Sequence, residues 1–406
     1  MTRSDTVTEA AADFDDPTRV DFADPAVYQR ADLPELWAVL RRVAPVHLSE
    51  APGRPPFWVV SRYDDAMTVF RDSERFSVEQ GNMLATLLTG GDSASGRMLA
   101  VTDGARHREV RQLMARAFSP RVLSSVTERV SARIDLLIRR WTTGEDFDFA
   151  AQVAEHIPIG TICDLLDVPS SDRGELLALS KLVLSSDEGA PDQQDMVIAR
   201  NEMLLYFTGL AQSRQGGTGE DVVSTLVNSF LSFDEVVLNC YSLLIGGDES
   251  SRLSSVGAVQ ALAQHQDQWL ALRDRRATVE SAVEEVLRWT TPPMHFGRRA
   301  RVDVGLGDQV IRAGDAVTVW ASSANRDERV FADPNRFDLI RTPNRHLTFG
   351  LGNHFCLGAY LGRVQLAALL ESLRRHVVSL EQVGPASQVY SNFMYGYCQL
   401  PVRFTR

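Results

Sequence analysis

Apolar residues crowd nearly every side of the stretch from Phe233 to about His265, where Val236, Val237, Leu238, Leu243, Leu244 and Ile245 leave no broad polar face. That pattern predicts a long buried helix. Ser232 and Glu235 supply a capping box at its start. Its middle reads Gly246-Gly247-Asp248-Glu249-Ser250-Ser251-Arg252. Each glycine inside a helix costs about 1 kcal/mol relative to alanine, and acids in an apolar segment need partners or water. Simple packing does not require that cost, so the segment is either a kink between two helices or a place where small residues make room for something. A second long helix follows from Leu357, because Leu357, Leu361, Val364 and Ala368 recur at helical spacing and Leu366, Leu369, Leu370 and Leu373 widen the face.

Elsewhere the pattern is more broken. Asp32 to Arg42 predicts an amphipathic helix with Asp32 as N-cap and Pro34 in the first turn. Phe57-Trp58-Val59-Val60 and Val317-Thr318-Val319-Trp320 predict strands, and Tyr63 to Arg71 a helix. Residues 121–215 read as largely helical, interrupted at Val168 to Asp172 and at Asp187 to Pro191, with Gln215 to Gly219 as a flexible connector. Residues 1–16 are poor in apolar positions and are expected to form a disordered tail, leaving 17–406 as the folded part.

Composition narrows the function. No run of 18 apolar residues occurs and the start is polar and acidic, so neither a membrane anchor nor a signal peptide is expected, and the chain reads as soluble and cytoplasmic. A formal charge of -11 argues against nucleic acid as partner. The four cysteines, Cys163, Cys240, Cys356 and Cys398, contain no C-x-x-C pair, which argues against an iron–sulfur cluster, structural zinc or a disulfide framework. At 406 residues, length alone would suggest two or three domains.

The candidate chemistry centres on His346-Leu347-Thr348-Phe349-Gly350-Leu351-Gly352-Asn353-His354-Phe355-Cys356-Leu357-Gly358. Cys356 precedes a helix start, where unpaired N–H groups and the helix dipole favour a metal-binding thiolate. Gly350, Gly352 and Gly358 allow tight bends and a close approach by a flat cofactor. An inert core cysteine is the plainer reading, and a zinc site of His346, His354 and Cys356 is another. The pattern Phe-x-x-Gly-x-x-x-Cys-x-Gly, however, resembles the heme-binding loop of the cytochrome P450 family.

That resemblance extends from Phe57 to the tail, with its elements in the family's order. It implies a mainly α fold with a smaller β portion, built as one domain around heme b, against the length expectation. It makes Cys356 the iron ligand, a thiolate that favours O–O cleavage, with Phe349, Gly350 and Gly358 around it. His107 and Arg111, four apart on one helix face, together with Arg298 (Arg299 as alternative) and His346, would hold the propionates. The Gly-Gly helix would cross the distal face, with Gly246, Gly247, Glu249 and Ser250 at the oxygen-activating positions. Ser250 stands where the family usually has threonine and is less constrained about χ1. Glu285 and Arg288 would form the family's buried E-x-x-R pair behind the heme, where an isolated pair of this spacing is ordinarily exposed.

Met83, Leu84, Leu87, Met294, Phe296, Phe393 and Met394 would line the substrate pocket; His295 could face substrate or be an ordinary histidine. The implied activity is a monooxygenase that uses O2 and two externally supplied electrons to hydroxylate or epoxidise a hydrophobic small molecule, with secondary-metabolite biosynthesis as its setting. Ferredoxin with ferredoxin reductase would donate the electrons, docking on Arg106, Arg108, Arg116, Arg345 and Arg363. Two alternatives stay open. One is an oxidase performing oxidative coupling or acting on an amino acid held by a carrier protein; the other is a non-catalytic heme or gas-binding protein.

Overall fold

The computed structural model describes residues 16–118, 120–184 and 193–406. The proposed tail therefore lies outside the described residues except for Asp16, whose carboxylate caps the short Pro17–Arg19 turn by accepting from the Thr18 N–H. The expected break at Asp187 to Pro191, and Ser119, also lie outside them.

Helices dominate, and the helix Phe233–Gln264 runs through their centre. It packs against His156–Leu165, Gln193–Arg214, Val279–Thr290 and Ala359–His376. The capping box forms, with the Ser232 hydroxyl accepting from the Glu235 N–H at 3.3 Å and Glu235 accepting from the Ser232 N–H at 2.8 Å. The helix does not break at Gly246-Gly247. A Cβ on Gly247 would stand 2.6 Å from the Ile162 side chain, so this glycine lets helix His156–Leu165 approach closely. Gly246 faces open space instead.

The β portion is a five-stranded sheet ordered Val46–Ser49, Phe57–Val60, Ala316–Trp320, His295–Ala300, Phe76–Ser77, antiparallel except between the second and third strands. Three smaller sheets complete it among the described residues. Phe57–Val60 and Tyr63–Arg71 form over the residues the pattern indicates. Asp32 occupies the N-cap of helix Leu33–Val43 but makes no capping bond, because its carboxylate is taken by Arg30 at 2.8 and 2.9 Å. None of the described helices is long and apolar enough to cross a membrane.

Behind the cysteine loop, Glu285 and Arg288 are fully buried and paired through two hydrogen bonds of 2.7 and 2.8 Å. Arg341 and Asn344 also donate to Glu285, at 3.1 and 3.0 Å. Arg288 meanwhile donates to the carbonyls of Asn325, Pro334 and Arg336. The pair thus fixes the irregular chain that leads into the loop, and its burial matches the resemblance rather than the exposed reading.

Candidate heme-thiolate site

Helix Ala359–His376 starts with Gly358 as N-cap, placing Cys356 two residues ahead of it. The loop before it folds back on itself: the Cys356 N–H donates to the Phe349 carbonyl at 2.9 Å, and Gly350 (φ 67°) and Gly352 (φ 75°) take left-handed turns. At Gly352 a Cβ would lie 2.5 Å from the Phe70 carbonyl oxygen, so no larger residue fits. Both ends of the loop are tied to Glu284, through His346 Nε2 at 3.2 Å and Arg363 at 2.6 and 2.9 Å. The Arg363 guanidinium also lies over the Phe349 ring, 4.7 Å from its centroid.

The Cys356 side chain is exposed, although protein atoms surround its sulfur closely enough to disfavour the thiolate. Burial pushes the thiol up, against the pull of the Gly358 N–H, Arg111 and Arg363. The helix mouth alone therefore does not lower it, contrary to expectation, and a bound cation would have to complete the ionisation.

Two buried groups nearby await a partner. His107 is 2% exposed and its Nε2 has no hydrogen-bond partner, while burial, His354 and Arg111 lower its pKa to about 4. Arg298, 4% exposed, donates only to the adjacent Gly297 carbonyl at 2.7 Å, has no carboxylate within ion-pair distance among the described residues, and is lowered to about 10 by burial. A buried cation without a counter-ion is costly, and a neutral imidazole can still donate from its unpartnered nitrogen, so Arg298 and His107 suit acidic groups of a ligand. Arg111 donates to the Phe355 carbonyl at 2.6 Å, beside the cysteine.

His346 does not join this set. Its Nε2 meets Glu284 and its Nδ1 accepts from the Thr348 N–H at 3.3 Å, so both ring nitrogens are used elsewhere. His354 stands there instead, its ring 4.3 Å from that of His107 and its Nε2 2.9 Å from Asp103. Asp103 is held down at about 2: His354, Ser77 and the Val78 N–H outweigh its burial. With His346 and His354 bonded to different carboxylates the zinc reading loses its ligands, and among the described residues no three His, Cys, Asp or Glu side chains are grouped to hold a metal ion.

On the long helix, Ser250 is half-buried and donates to the Gly246 carbonyl at 3.1 Å, leaving its oxygen free to accept. Glu249 is not positioned as expected. It is 2% exposed, and both oxygens are held by Arg252 at 2.6 and 2.9 Å, because spacing of three along the helix brings the two together. Gly247 is likewise a packing glycine rather than part of the open face.

Of the seven candidate pocket residues, Met83, Phe296 and Phe393 keep open surface, whereas Leu84, Leu87 and Met294 are buried around Trp320 and Met394 packs with Leu253 and Val389. Among the candidate docking cations, Arg106 is paired with Glu235 and Arg363 with Glu284. Arg108, Arg116 and Arg345 remain exposed, with no ion pair among the described residues.

An exposed thiol just ahead of a helix, together with a buried guanidinium and a buried histidine that lack acidic hydrogen-bond partners, fits an acidic, metal-bearing prosthetic group. Residues 258–392 match the family model described as cytochrome P450. Over 95% of the chain and 97% of the relative, the sequence is 45% identical to cytochrome P450 NovI of Streptomyces niveus. It is 31% identical to linalool 8-monooxygenase of Pseudomonas putida, across 95% and 98% of the two chains. The crystal structure of P450 OxyD, which is involved in the biosynthesis of vancomycin-type antibiotics, superposes with a TM-score of 0.88 at 34% identity, covering 95% of this chain and 99% of that one. The chain belongs to the cytochrome P450 family: it has that family's fold, mainly α with a smaller β portion, and is an oxidoreductase whose cofactor is heme b.

Proposed function

We propose that this P450 inserts oxygen from O2 into a hydrophobic small molecule of secondary metabolism, by hydroxylation or epoxidation, with Cys356 as the iron ligand. The observation that carries the site is the orphaned pair, His107 Nε2 and Arg298, beside the loop of Cys356. Held by a cysteine thiolate, heme b supplies the oxygen-activating redox chemistry. His107, Arg298, Arg111 and His354 bind the propionates, and Phe349, Gly350 and Gly358 shape the loop. Ser250 relays protons toward the open face beside Gly246: its hydroxyl turns from the Gly246 carbonyl to pass its own proton on as its oxygen takes another from solvent. Glu249 backs this serine as one half of a fixed ion pair, so a proton can pass through it only if Arg252 lets go.

Similarity to OxyD, a P450 involved in the biosynthesis of vancomycin-type antibiotics, supports the secondary-metabolite setting. A ferredoxin, itself reduced by ferredoxin reductase, delivers the two electrons at Arg108, Arg116 and Arg345, in the cytoplasm. Glutamate at Arg108 and Arg116 should slow reduction by ferredoxin while leaving reduction by dithionite unchanged; equal ferredoxin rates would remove the docking site. Turnover under 18O2 with reductase, ferredoxin and candidate substrates tests the reaction. One labelled oxygen in the product is expected, whereas a coupled product without label favours the oxidase reading and no product with any reductant the binding-protein reading.

A further inference from the structure

His295 opens the strand His295–Ala300 and is fully buried. Its Nε2 lies 3.0 Å from the backbone N of Leu84 and accepts that hydrogen, which leaves the ring proton on Nδ1. Nδ1 itself has no partner in hydrogen-bond geometry, the backbone of Asn392 being the polar group beside it. The ring packs between Trp320, at 4.6 Å, and Phe393, at 5.3 Å. Burial holds the imidazole neutral by lowering its pKa to about 3.

Leu84 begins the short helix Leu84–Leu88, whose N-cap Met83 makes no side-chain bond. Its N–H is one of the donors a helix start leaves unmatched, and a side chain from a distant strand satisfies it. Two further stitches hold the same segment: the Gly297 N–H donates to the Asn82 carbonyl at 2.6 Å, and Arg299 Nη2 to the Leu87 carbonyl at 2.8 Å. Gly297 permits this contact, since a Cβ there would stand 2.7 Å from Leu87. On the other side, the Met294 N–H donates to the Phe393 carbonyl at 2.8 Å. Each of the three segments carries one half-buried candidate pocket side chain, Met83, Phe296 and Phe393.

We propose that His295 is a positioning residue for substrate selection, a clamp that holds the segments bearing Met83, Phe296 and Phe393 in fixed relation to one another. The inference rests on the proposed substrate pocket, but the clamp itself can be tested without it. Two variants of the heme-loaded protein separate its parts: His295→Phe keeps a ring and loses the acceptor, and His295→Gln keeps an acceptor at the reach of Nε2. Amide hydrogen exchange over residues 82–91 should quicken in His295→Phe by roughly five- to a hundred-fold, as loss of a buried amide's acceptor allows, and stay near wild type in His295→Gln. Titration with imidazole and with phenyl-substituted imidazoles, followed at the Soret band, should show unchanged affinity for imidazole and a weakened preference among the bulky ligands in His295→Phe.

Unchanged exchange in His295→Phe, or exchange in His295→Gln as fast as in His295→Phe, would overturn the clamp. Faster exchange with an unaltered preference among the azoles would overturn the role in selection. If no variant, wild type included, shows a Soret response, the heme reading fails, and the exchange data still decide the clamp.

Discussion

Replacing Asp248 by asparagine should make the protein's stability less sensitive to alkali. This carboxyl sits in the middle of helix Phe233–Gln264, 3% exposed, with Oδ2 accepting from the Ser180 hydroxyl and Oδ1 without a partner. Burial raises its pKa from 3.8 to about 7; Ser180 and Arg252 pull it down, and Glu249 and Glu155 push it up. Glu155 is paired with Lys181 at 2.7 Å, and Glu249 with Arg252, so each of these two cations already serves another carboxylate.

Between pH 4 and 7 the folded protein keeps a proton that the unfolded chain has released. Stability therefore falls as pH rises through that window and stays low above it. At ~1.4 kcal/mol for each pH unit, the deficit reaches about 4 kcal/mol above pH 7. Asparagine carries no charge at any pH and can still bond Ser180. Urea unfolding of both proteins at equal heme loading, from pH 5 to 8, isolates the effect because all other titrating groups are shared. From pH 5 to 7 the variant should gain about 3 kcal/mol on wild type, and the gap should then hold nearly constant to pH 8. Parallel stability curves, or a wild type that gains on the variant as pH rises, would refute the reasoning.

Glu285→Gln should lower stability by roughly 3–5 kcal/mol in urea unfolding, since it strands the fully buried Arg288 without its counter-ion. Ser250→Ala should leave unfolding within about 0.5 kcal/mol of wild type but lower the product formed per electron pair, read as peroxide released per product. Glu249→Gln should instead show its main effect in stability, because Arg252 loses a partner in a site 2% exposed. A Glu249→Gln protein of wild-type stability but poor coupling would return Glu249 to the proton relay.

Local signals in the sequence are legible where neighbours along the chain decide the outcome. The capping box at Ser232 and the strand Phe57–Val60 depend on residues a few positions apart, and both form. Long-range choices of partner were not legible. His346 and His354 lie eight positions apart in one loop, and which of them meets His107 depends on Asp103 and Glu284, each distant in sequence. Leu84 and Leu87 lie in a segment that the family resemblance places over the pocket, but Trp320 and Met294 draw them into the core. The Glu249–Arg252 pair is a different case, since spacing of three on a helix signals it in the sequence. Gly247 could not be told from Gly246 without knowing that Ile162 packs against one and not the other.

The most direct test of the account is the spectrum of the reduced carbon monoxide complex, taken on wild type and on Cys356→His. Thiolate ligation predicts the strongly red-shifted Soret band for wild type, and its replacement by the shorter-wavelength band of an imidazole-ligated heme in Cys356→His, with heme still bound through His107, Arg298 and the rest of the site. A wild-type complex without the red-shifted band, or a Cys356→His protein that keeps it, would contradict the assignment of Cys356.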